Sequence, residues 1–112
     1  MSEAAVDRTL RAMADPNRRA IMSVIRDTPQ PVGRVAARTG LSQQTASHHL
    51  RVLRDAGLAT ETRAGTRRLY AVRTDGLAAV RTYLDDFWPT KLAALKAAAE
   101  AAASVDPEPD SG

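Results

Sequence analysis

The sequence predicts a mainly α-helical fold with one small β-hairpin. In residues 3–55 and 75–104, apolar residues recur every three or four positions, which is the period of amphipathic helices. Between these stretches, two short strand-like runs at 58–63 and 67–72 flank a glycine-containing turn, which is typical of a hairpin. Prolines and glycines stand at the boundaries of the helical segments and divide them into five helices.

The first two helices meet at Asp15-Pro16. The first is expected over residues 3–14, where apolar side chains follow the helical period at Val6, Leu10 and Met13. Asp15 is a favourable N-cap and Pro16 suits the first position of a helix, so the second helix is expected from Pro16 to about residue 27. The prolines at positions 29 and 31 cannot continue it.

The third and fourth helices form a pair. The third, about residues 32–39, ends at Gly40, and only Gly40-Leu41-Ser42 separates it from the fourth, residues 43–55. Ser42 is a good N-cap for the fourth helix, and Gly57 suits the position just past its end. Two short helices joined by a three-residue turn with glycine form a helix-turn-helix, in which the second helix is placed to enter a DNA groove.

The fourth helix has one apolar face and one polar face. Ala46, Leu50 and Leu53 recur at i, i+4 and i+7, which predicts a buried stripe. The opposite face carries side chains that can hydrogen-bond to base edges or phosphates. The candidate DNA contacts of this segment are Ser42, Gln43, Gln44, Thr45, Ser47, His48, His49 and Arg51. Within this set His49 is either packed or facing a phosphate, and a solvated surface helix is the alternative for the whole segment.

Positive charge is concentrated in the middle of the chain. Residues 34–73 contain eight arginines and two acidic residues, although the net charge of the 112-residue chain is only +3. A focused basic region favours a polyanion partner over a merely solvated arginine-rich surface. Arg63, Arg67 and Arg68 flank the tip of the hairpin. A basic hairpin directly after such a helix is a wing, so hairpin 58–72 is expected to lie along the DNA backbone or to reach the minor groove.

The final helix, expected over residues 75–104, indicates that two copies of the chain form a dimer. Its apolar stripe is long and needs a further surface to bury it, and Pro89 should kink or restart the helix near Phe87-Trp88. The candidate dimerisation residues are Leu10, Leu84, Phe87, Trp88, Leu92 and Leu95. The alternative is that the helix folds back on its own module. Residues 1–104 are expected to form one dimeric domain, followed by a disordered acidic tail over 105–112.

The composition argues against several other classes of protein. The chain has no cysteine, which removes disulfides, thiolate metal sites and cysteine nucleophiles. No apolar run approaches the ~20 residues of a membrane span, and no signal-peptide segment is present, so a cytoplasmic location is expected. Ser47 and His48 are neighbours on one helix and do not form a nucleophile–base pair, so neither an enzyme nor a cofactor is expected. His48 and His49 point about 100° apart, which argues against a metal site.

Three stretches of the chain resemble ArsR-type winged helix-turn-helix repressors. They are AMADPNRRAI at 12–21, LSQQTASHHLRVLRDAGL at 41–58 and RAGTRRLYAV at 63–72. The resemblance extends over about residues 8–96. It implies a homodimeric bacterial transcriptional repressor, often acting on its own operon, with the fourth helix in the major groove.

The resemblance also has a consequence for metals. Many members of this family bind metals through cysteine pairs, or through Asp and His ligands on the last helix. This chain has no cysteine, and no histidine accompanies Asp85 and Asp86. It is therefore similar to a subgroup without metal sites, whose signal is expected to be a small-molecule effector, a protein partner or the protein's own concentration.

The sequence thus predicts a regulator that binds double-stranded DNA sequence-specifically, as a homodimeric autorepressor on a palindromic operator. Two alternatives stay open. A nucleoid-type protein would share the basic surface but would lack the penalty of about 1–3 kcal/mol for each mismatched base pair. A winged helix used for protein contacts would need an acidic or apolar recognition face, whereas this face is basic and polar.

Overall fold

The computed structural model describes residues 3–88 and 91–104. Within them, six helices and three strands follow one another along the chain. They are α1 (Glu3–Ala14), α2 (Pro16–Ile25), β1 (Gln30–Pro31), α3 (Val32–Thr39), α4 (Gln43–Asp55), β2 (Ala59–Ala64), β3 (Arg67–Val72), α5 (Asp75–Asp85) and α6 (Lys91–Ser104). The bend expected at Pro89 and the disordered tail expected over 105–112 lie outside the described residues.

The chain divides into two compact units, with the boundary between Thr82 and Tyr83. The first unit holds α1 to α4, the three strands and most of α5. The second holds the end of α5 and the whole of α6. The single final helix predicted over 75–104 is therefore two helices, which raises the number of helices from five to six.

Short-range hydrogen bonds close the end of α5. The N–H groups of Asp86, Phe87 and Trp88 donate to the carbonyls three residues earlier, at 3.3, 2.9 and 3.2 Å. Such bonds tighten the last turn of a helix. A proline at position 89 has no N–H with which to extend the series.

The predicted caps of α2 and α4 are confirmed. The Asp15 carboxylate accepts from the N–H groups of Asn17 and Arg18 at 2.8 and 3.2 Å, and the Ser42 hydroxyl accepts from the Thr45 N–H at 3.0 Å. Each cap satisfies N–H groups that the first turn of a helix leaves free. At the other ends, Gly40 and Gly57 adopt left-handed φ angles of 75° and 76°, as expected for glycines that terminate helices.

The core of the first unit lies beneath α4. The predicted inward stripe of that helix is confirmed, since Ala46, Leu50 and Leu53 are all 0% exposed. They pack in one cluster with side chains of α2, α3 and the sheet, including Ile21, Ile25, Val35, Leu58 and Tyr70. This packing fixes the inner face of α4 and leaves its other face free.

The inward stripe of α1 differs from the predicted one. Val6, Thr9 and Ala12 are buried, whereas Leu10 is 42% exposed. The hydroxyl of Thr9 explains why a polar residue faces inward, because it donates to the carbonyls of Ala5 at 3.0 Å and Ala56 at 3.3 Å. Leu10 thus points away from the core that a single chain provides.

The sheet contains one strand more than the predicted hairpin. β2 and β3 pair antiparallel, with Arg63 opposite Arg68 next to the turn. β1 pairs antiparallel with the other edge of β3, which gives the order β1-β3-β2. A two-residue strand that ends in Pro31 carries little local signal, because proline donates no ladder hydrogen bond.

The start of α5 is tied closely to the end of α4. The Gly76 N–H donates to the Gly57 carbonyl at 2.9 Å, and a Cβ at position 76 would lie only 2.7 Å from the Ala56 carbonyl oxygen. Only glycine lets the two backbones approach this closely. Together with the Thr9 hydroxyl, this contact joins α1, α4 and α5 within the first unit.

Candidate nucleic-acid interface

The outward face of α4 presents polar side chains to solvent. Gln44, His48 and Arg51 are exposed and Ser47 is half-buried, opposite the fully buried apolar stripe. Within residues 3–88 and 91–104, the side chains of Gln44 and Arg51 have no hydrogen-bond or ion-pair partner. The helix therefore offers one amide and one guanidinium that are free to bind a ligand.

The first turn of α4 is held by two hydroxyls. The Ser42 hydroxyl donates to the Thr45 hydroxyl at 2.9 Å while it accepts from the Thr45 N–H. Both predicted contacts thus shape the start of the helix, beside the exposed Gln43. Their role toward DNA stays a prediction.

His49 lies on the inner side of α4. The residue is 8% exposed, and its Nδ1 accepts from the Arg18 guanidinium at 3.2 Å. Arginine is only a donor, so the imidazole is neutral with its proton on Nε2. Of the two roles that the sequence left open, the structure shows His49 packed against Arg18, and a contact between His49 and a phosphate stays a prediction.

Arg18 connects α4 to the end of α1. Its guanidinium donates to the carbonyls of Ala12 at 2.7 Å and Arg11 at 3.2 Å as well as to His49. Burial lowers the pKa of His49, the Asp15 charge acts in the opposite direction, and the charges of Arg18 and His48 lower it further. The pKa of Asp15 is also lowered: burial acts to raise it, but hydrogen bonds from the Arg18 and Asn17 N–H groups and the charges of Arg18 and His49 outweigh that effect.

The arginines of the wing fall into two classes. Arg63 and Arg67 are exposed, and no carboxylate among the described residues pairs with either of them. Arg68 is different, because its Nε lies 3.3 Å from the Glu61 carboxylate. The hairpin tip therefore presents two free guanidinium groups rather than three.

Two further arginines were not among the predicted contacts. Arg34 and Arg38 are exposed on α3, one helical turn apart, and in the part of the chain that the structure describes neither has an acidic partner. The first helix of a helix-turn-helix crosses the DNA backbone. The sequence signal was present, since both belong to the eight arginines of residues 34–73.

The second unit presents apolar rather than basic side chains. Every predicted dimerisation residue in it is exposed, with Trp88 at 64% and Leu92 at 77%. Tyr83, which was not predicted, is also exposed and meets Phe87 edge-to-face with ring centroids 5.2 Å apart. The exposed apolar side chains of this unit are Tyr83, Leu84, Phe87, Trp88, Leu92 and Leu95.

No group of three or more His, Cys, Asp or Glu side chains in the described residues is placed to hold a metal ion. No helix in the same residues is both long and apolar enough to cross a membrane.

Comparisons with known proteins agree with this geometry. A family model described as a helix-turn-helix domain matches residues 13–62. The HTH-type transcriptional regulator Rv2034 of Mycobacterium tuberculosis is 44% identical over 86 residues, which cover 77% of this chain and 80% of that protein.

Two solved structures extend the likeness beyond the helix-turn-helix. A crystal structure of a possible transcriptional regulator for arsenical resistance is 37% identical, with a TM-score of 0.65 over 80% of this chain and 93% of its own. An NMR structure from Mycobacterium bovis shows the homodimeric winged helix-turn-helix DNA-binding domain of a possible ArsR-family transcriptional regulator. It is 27% identical, with a TM-score of 0.62 over 80% of this chain and 92% of its own.

The fold and the exposed polar face of α4 define a winged helix-turn-helix transcriptional regulator, which confirms the predicted fold class. The chain belongs to the ArsR-type family of these regulators. Its function is accordingly that of a DNA-binding transcriptional regulator. The relatives are transcriptional regulators rather than enzymes.

Proposed function

We propose that the chain is a sequence-specific repressor that binds a palindromic operator as a homodimer, including an operator at its own gene. The observation that carries this proposal is the outward face of α4. There Gln44 and Arg51 are exposed and unpaired within the described residues, while the opposite face is fully buried. A helix supported in this way can enter the major groove without losing its packing.

The polar side chains of α4 divide into base contacts and phosphate contacts. Glutamine pairs well with adenine and arginine with guanine, so Gln44 and Arg51 are proposed to read bases. Ser47 and His48 lie between them on the same face and are proposed to contact neighbouring bases or phosphates. The residues at the start of the helix are proposed to face the backbone: Ser42, Gln43 and Thr45.

The wing and α3 supply the remaining phosphate contacts. Arg63 and Arg67 at the hairpin tip are exposed and unpaired among the described residues, and Arg34 and Arg38 on α3 share this property. Contacts of this kind fix the register of the protein on the duplex and provide most of the affinity without reading sequence.

Dimerisation is proposed to bury the apolar surface of the second unit. Six large apolar side chains are exposed there in a single chain, and such a patch is typical of an interface. Leu10, which α1 directs away from its own core, is proposed to take part. The homodimeric Mycobacterium bovis structure supports this assembly. A twofold dimer would place two copies of α4 about 34 Å apart, one turn of DNA.

Three narrower statements complete the proposal. The chain is proposed to have no catalytic activity, in keeping with its relatives. It is proposed to act in the cytoplasm because its target is DNA. A small-molecule effector and the single dimeric domain over residues 1–104 stay predictions.

Binding to a labelled duplex from immediately upstream of the chain's own gene, measured by fluorescence anisotropy at several salt concentrations, tests the proposal. A scrambled duplex of equal length is the control. We expect the upstream duplex to bind at least about 10³-fold more tightly, with log K falling by about 0.9 per neutralised phosphate for each decade of salt.

Other results would support the alternative functions. Equal affinity for both duplexes would identify a nucleoid-type protein. Absence of binding even at low salt would favour a winged helix used for protein contacts. Either result would overturn the proposal of sequence-specific repression.

A further inference from the structure

One carboxylate joins the recognition helix to both strands of the wing. Glu61, on β2, accepts from the Arg54 guanidinium at 2.9 Å, and its second oxygen lies 3.3 Å from Arg68 Nε. Arg54 belongs to the last turn of α4 and Arg68 to β3. The Glu61 side chain is 17% exposed, the lowest value for any carboxylate in the ion pairs of the described residues. Glu61 is therefore the most sheltered carboxylate in these ion pairs, while its partners Arg54 and Arg68 are 43% and 57% exposed.

Simple electrostatics disfavours a carboxylate at this position. Glu61 and Asp55 are the two acidic residues among the eight arginines of residues 34–73. Removing a negative charge from a DNA-facing surface strengthens binding to any duplex. A half-buried carboxylate in this region must therefore contribute something other than affinity for phosphate.

The strand register indicates what Glu61 contributes. Arg63 and Arg68 are direct cross-strand partners, and like charges in that position destabilise a hairpin. Glu61 lies two residues before Arg63, on the same face of the sheet, and takes up the Arg68 charge. Arg68 is thereby held back along the hairpin, whereas Arg63 and Arg67 stay free at its tip.

We propose that Glu61 is a positioning residue that sets the angle between α4 and the wing, so that the free wing arginines meet phosphates only when α4 lies in register on its operator. Arg68 then acts through Glu61 and not through DNA. This inference rests on the proposed function and deepens it. Part of the DNA sequence specificity then depends on Glu61, a residue that touches no base.

Two isosteric variants separate this role from a charge effect. Glu61→Gln and Asp55→Asn each remove one negative charge from the same basic region. Asp55 is 71% exposed and lies 3.6 Å from Arg54, but no ion pair among the described residues joins it to the wing. We expect Asp55→Asn to strengthen binding to upstream and scrambled duplexes by the same factor, which leaves their ratio unchanged.

Glu61→Gln should behave differently. Affinity for the scrambled duplex should rise, with a salt slope steeper by about 0.9 because the released Arg68 gains a phosphate. Affinity for the upstream duplex should fall, so that the ratio decreases about ten-fold, the cost of a single poor base contact. An equal gain for both duplexes, as in Asp55→Asn, would overturn the proposal.

The two neighbouring arginines provide a second test. Arg67→Gln should reduce the salt slope on both duplexes by about 0.9, since it removes a phosphate contact. Arg68→Gln should leave the slope on the scrambled duplex unchanged and lower the affinity ratio as Glu61→Gln does. If Arg68→Gln instead reduces the slope as Arg67→Gln does, Arg68 is a direct contact and the proposal fails.

Two controls distinguish a failure of this inference from a loss of folding and from a failure of the proposed function. Thermal unfolding followed by circular dichroism shows whether each variant is folded. Should Glu61→Gln unfold, Arg68→Gln breaks the same bridge from the wing, and an unchanged affinity ratio in that folded variant would overturn the proposal. If the wild-type protein itself shows no preference for the upstream duplex, the proposed function fails, which is a different result.

Discussion

The helices α4 and α6 have similar lengths, 13 and 14 residues, and opposite surfaces. The apolar stripe of α4 is fully buried, and the face of the helix that stays exposed is polar. The apolar residues Leu92 and Leu95 of α6 are 77% and 68% exposed. Among the described residues, a single chain therefore buries the apolar stripe of α4 but leaves Leu92 and Leu95 of α6 exposed. The packing of α4 can therefore be tested in a single chain, whereas the proposed dimer contact of α6 requires two chains.

The largest expected effect is on the free energy of unfolding and comes from the buried stripe of α4. Leu50→Ala should lower the free energy of unfolding by about 2–5 kcal/mol, because it leaves a cavity beneath α4. Leu95→Ala, the same truncation on the exposed side, should change it by less than about 0.5 kcal/mol at concentrations too low for dimers. Urea denaturation measures both. Equal losses of unfolding free energy in the two variants would contradict the difference in packing between α4 and α6.

The next effect concerns the uncovered surface. Trp88→Ala should raise the dimer dissociation constant about 30-fold, since a buried tryptophan at an interface contributes about 2 kcal/mol. Sedimentation equilibrium over a range of concentrations measures this constant. Lys96→Ala, which removes an exposed ion pair with Glu100, should leave it nearly unchanged. A dimer as tight as the wild type would place Trp88 outside the interface.

An effect of comparable size is expected on the free face of α4. Arg51→Ala should cost about 1–3 kcal/mol of discrimination at one base pair, because it removes the proposed bidentate contact to guanine. Competition with duplexes substituted at each position of the bound site locates that base pair. A uniform loss over all sequences would make Arg51 a phosphate contact instead.

The smallest effect depends on pH. Burial lowers the pKa of His49 in the folded chain, so below about pH 6.5 the unfolded chain binds a proton first. The neutral His49 therefore makes a constant contribution to the stability of the folded chain above that pH. This contribution is lost progressively as the pH falls below it. Urea denaturation at pH 7.5 and 5.5 should show a weaker pH dependence for His49→Gln than for the wild type. An equal pH dependence in the two proteins would contradict this role of His49.

The parts of the fold that the sequence predicted are those determined by neighbouring residues. The caps at Asp15 and Ser42 bond to N–H groups two or three residues away, and the stripe of α4 follows directly from helical spacing. The limits of α3 and α4 agree with the prediction because a capping serine and two glycines mark them.

The parts that the sequence did not predict depend on distant partners. β1 exists only through its pairing with β3, 40 residues along the chain at Gln30 and Tyr70. The inward position of Thr9 depends on the Ala56 carbonyl, and the burial of His49 depends on Arg18. The bridge at Glu61 likewise requires α4 and both wing strands to be in place. Periodicity within one element contains none of this information.

Footprinting of the wild-type protein on the DNA upstream of its own gene tests the central claim most directly. The account predicts two protected segments related by a dyad, with centres about one turn of DNA apart, because each chain of a dimer places one α4 in the major groove. Protection should disappear steeply as the salt concentration rises. A continuous footprint without boundaries, or a single protected segment without a dyad, would contradict the account.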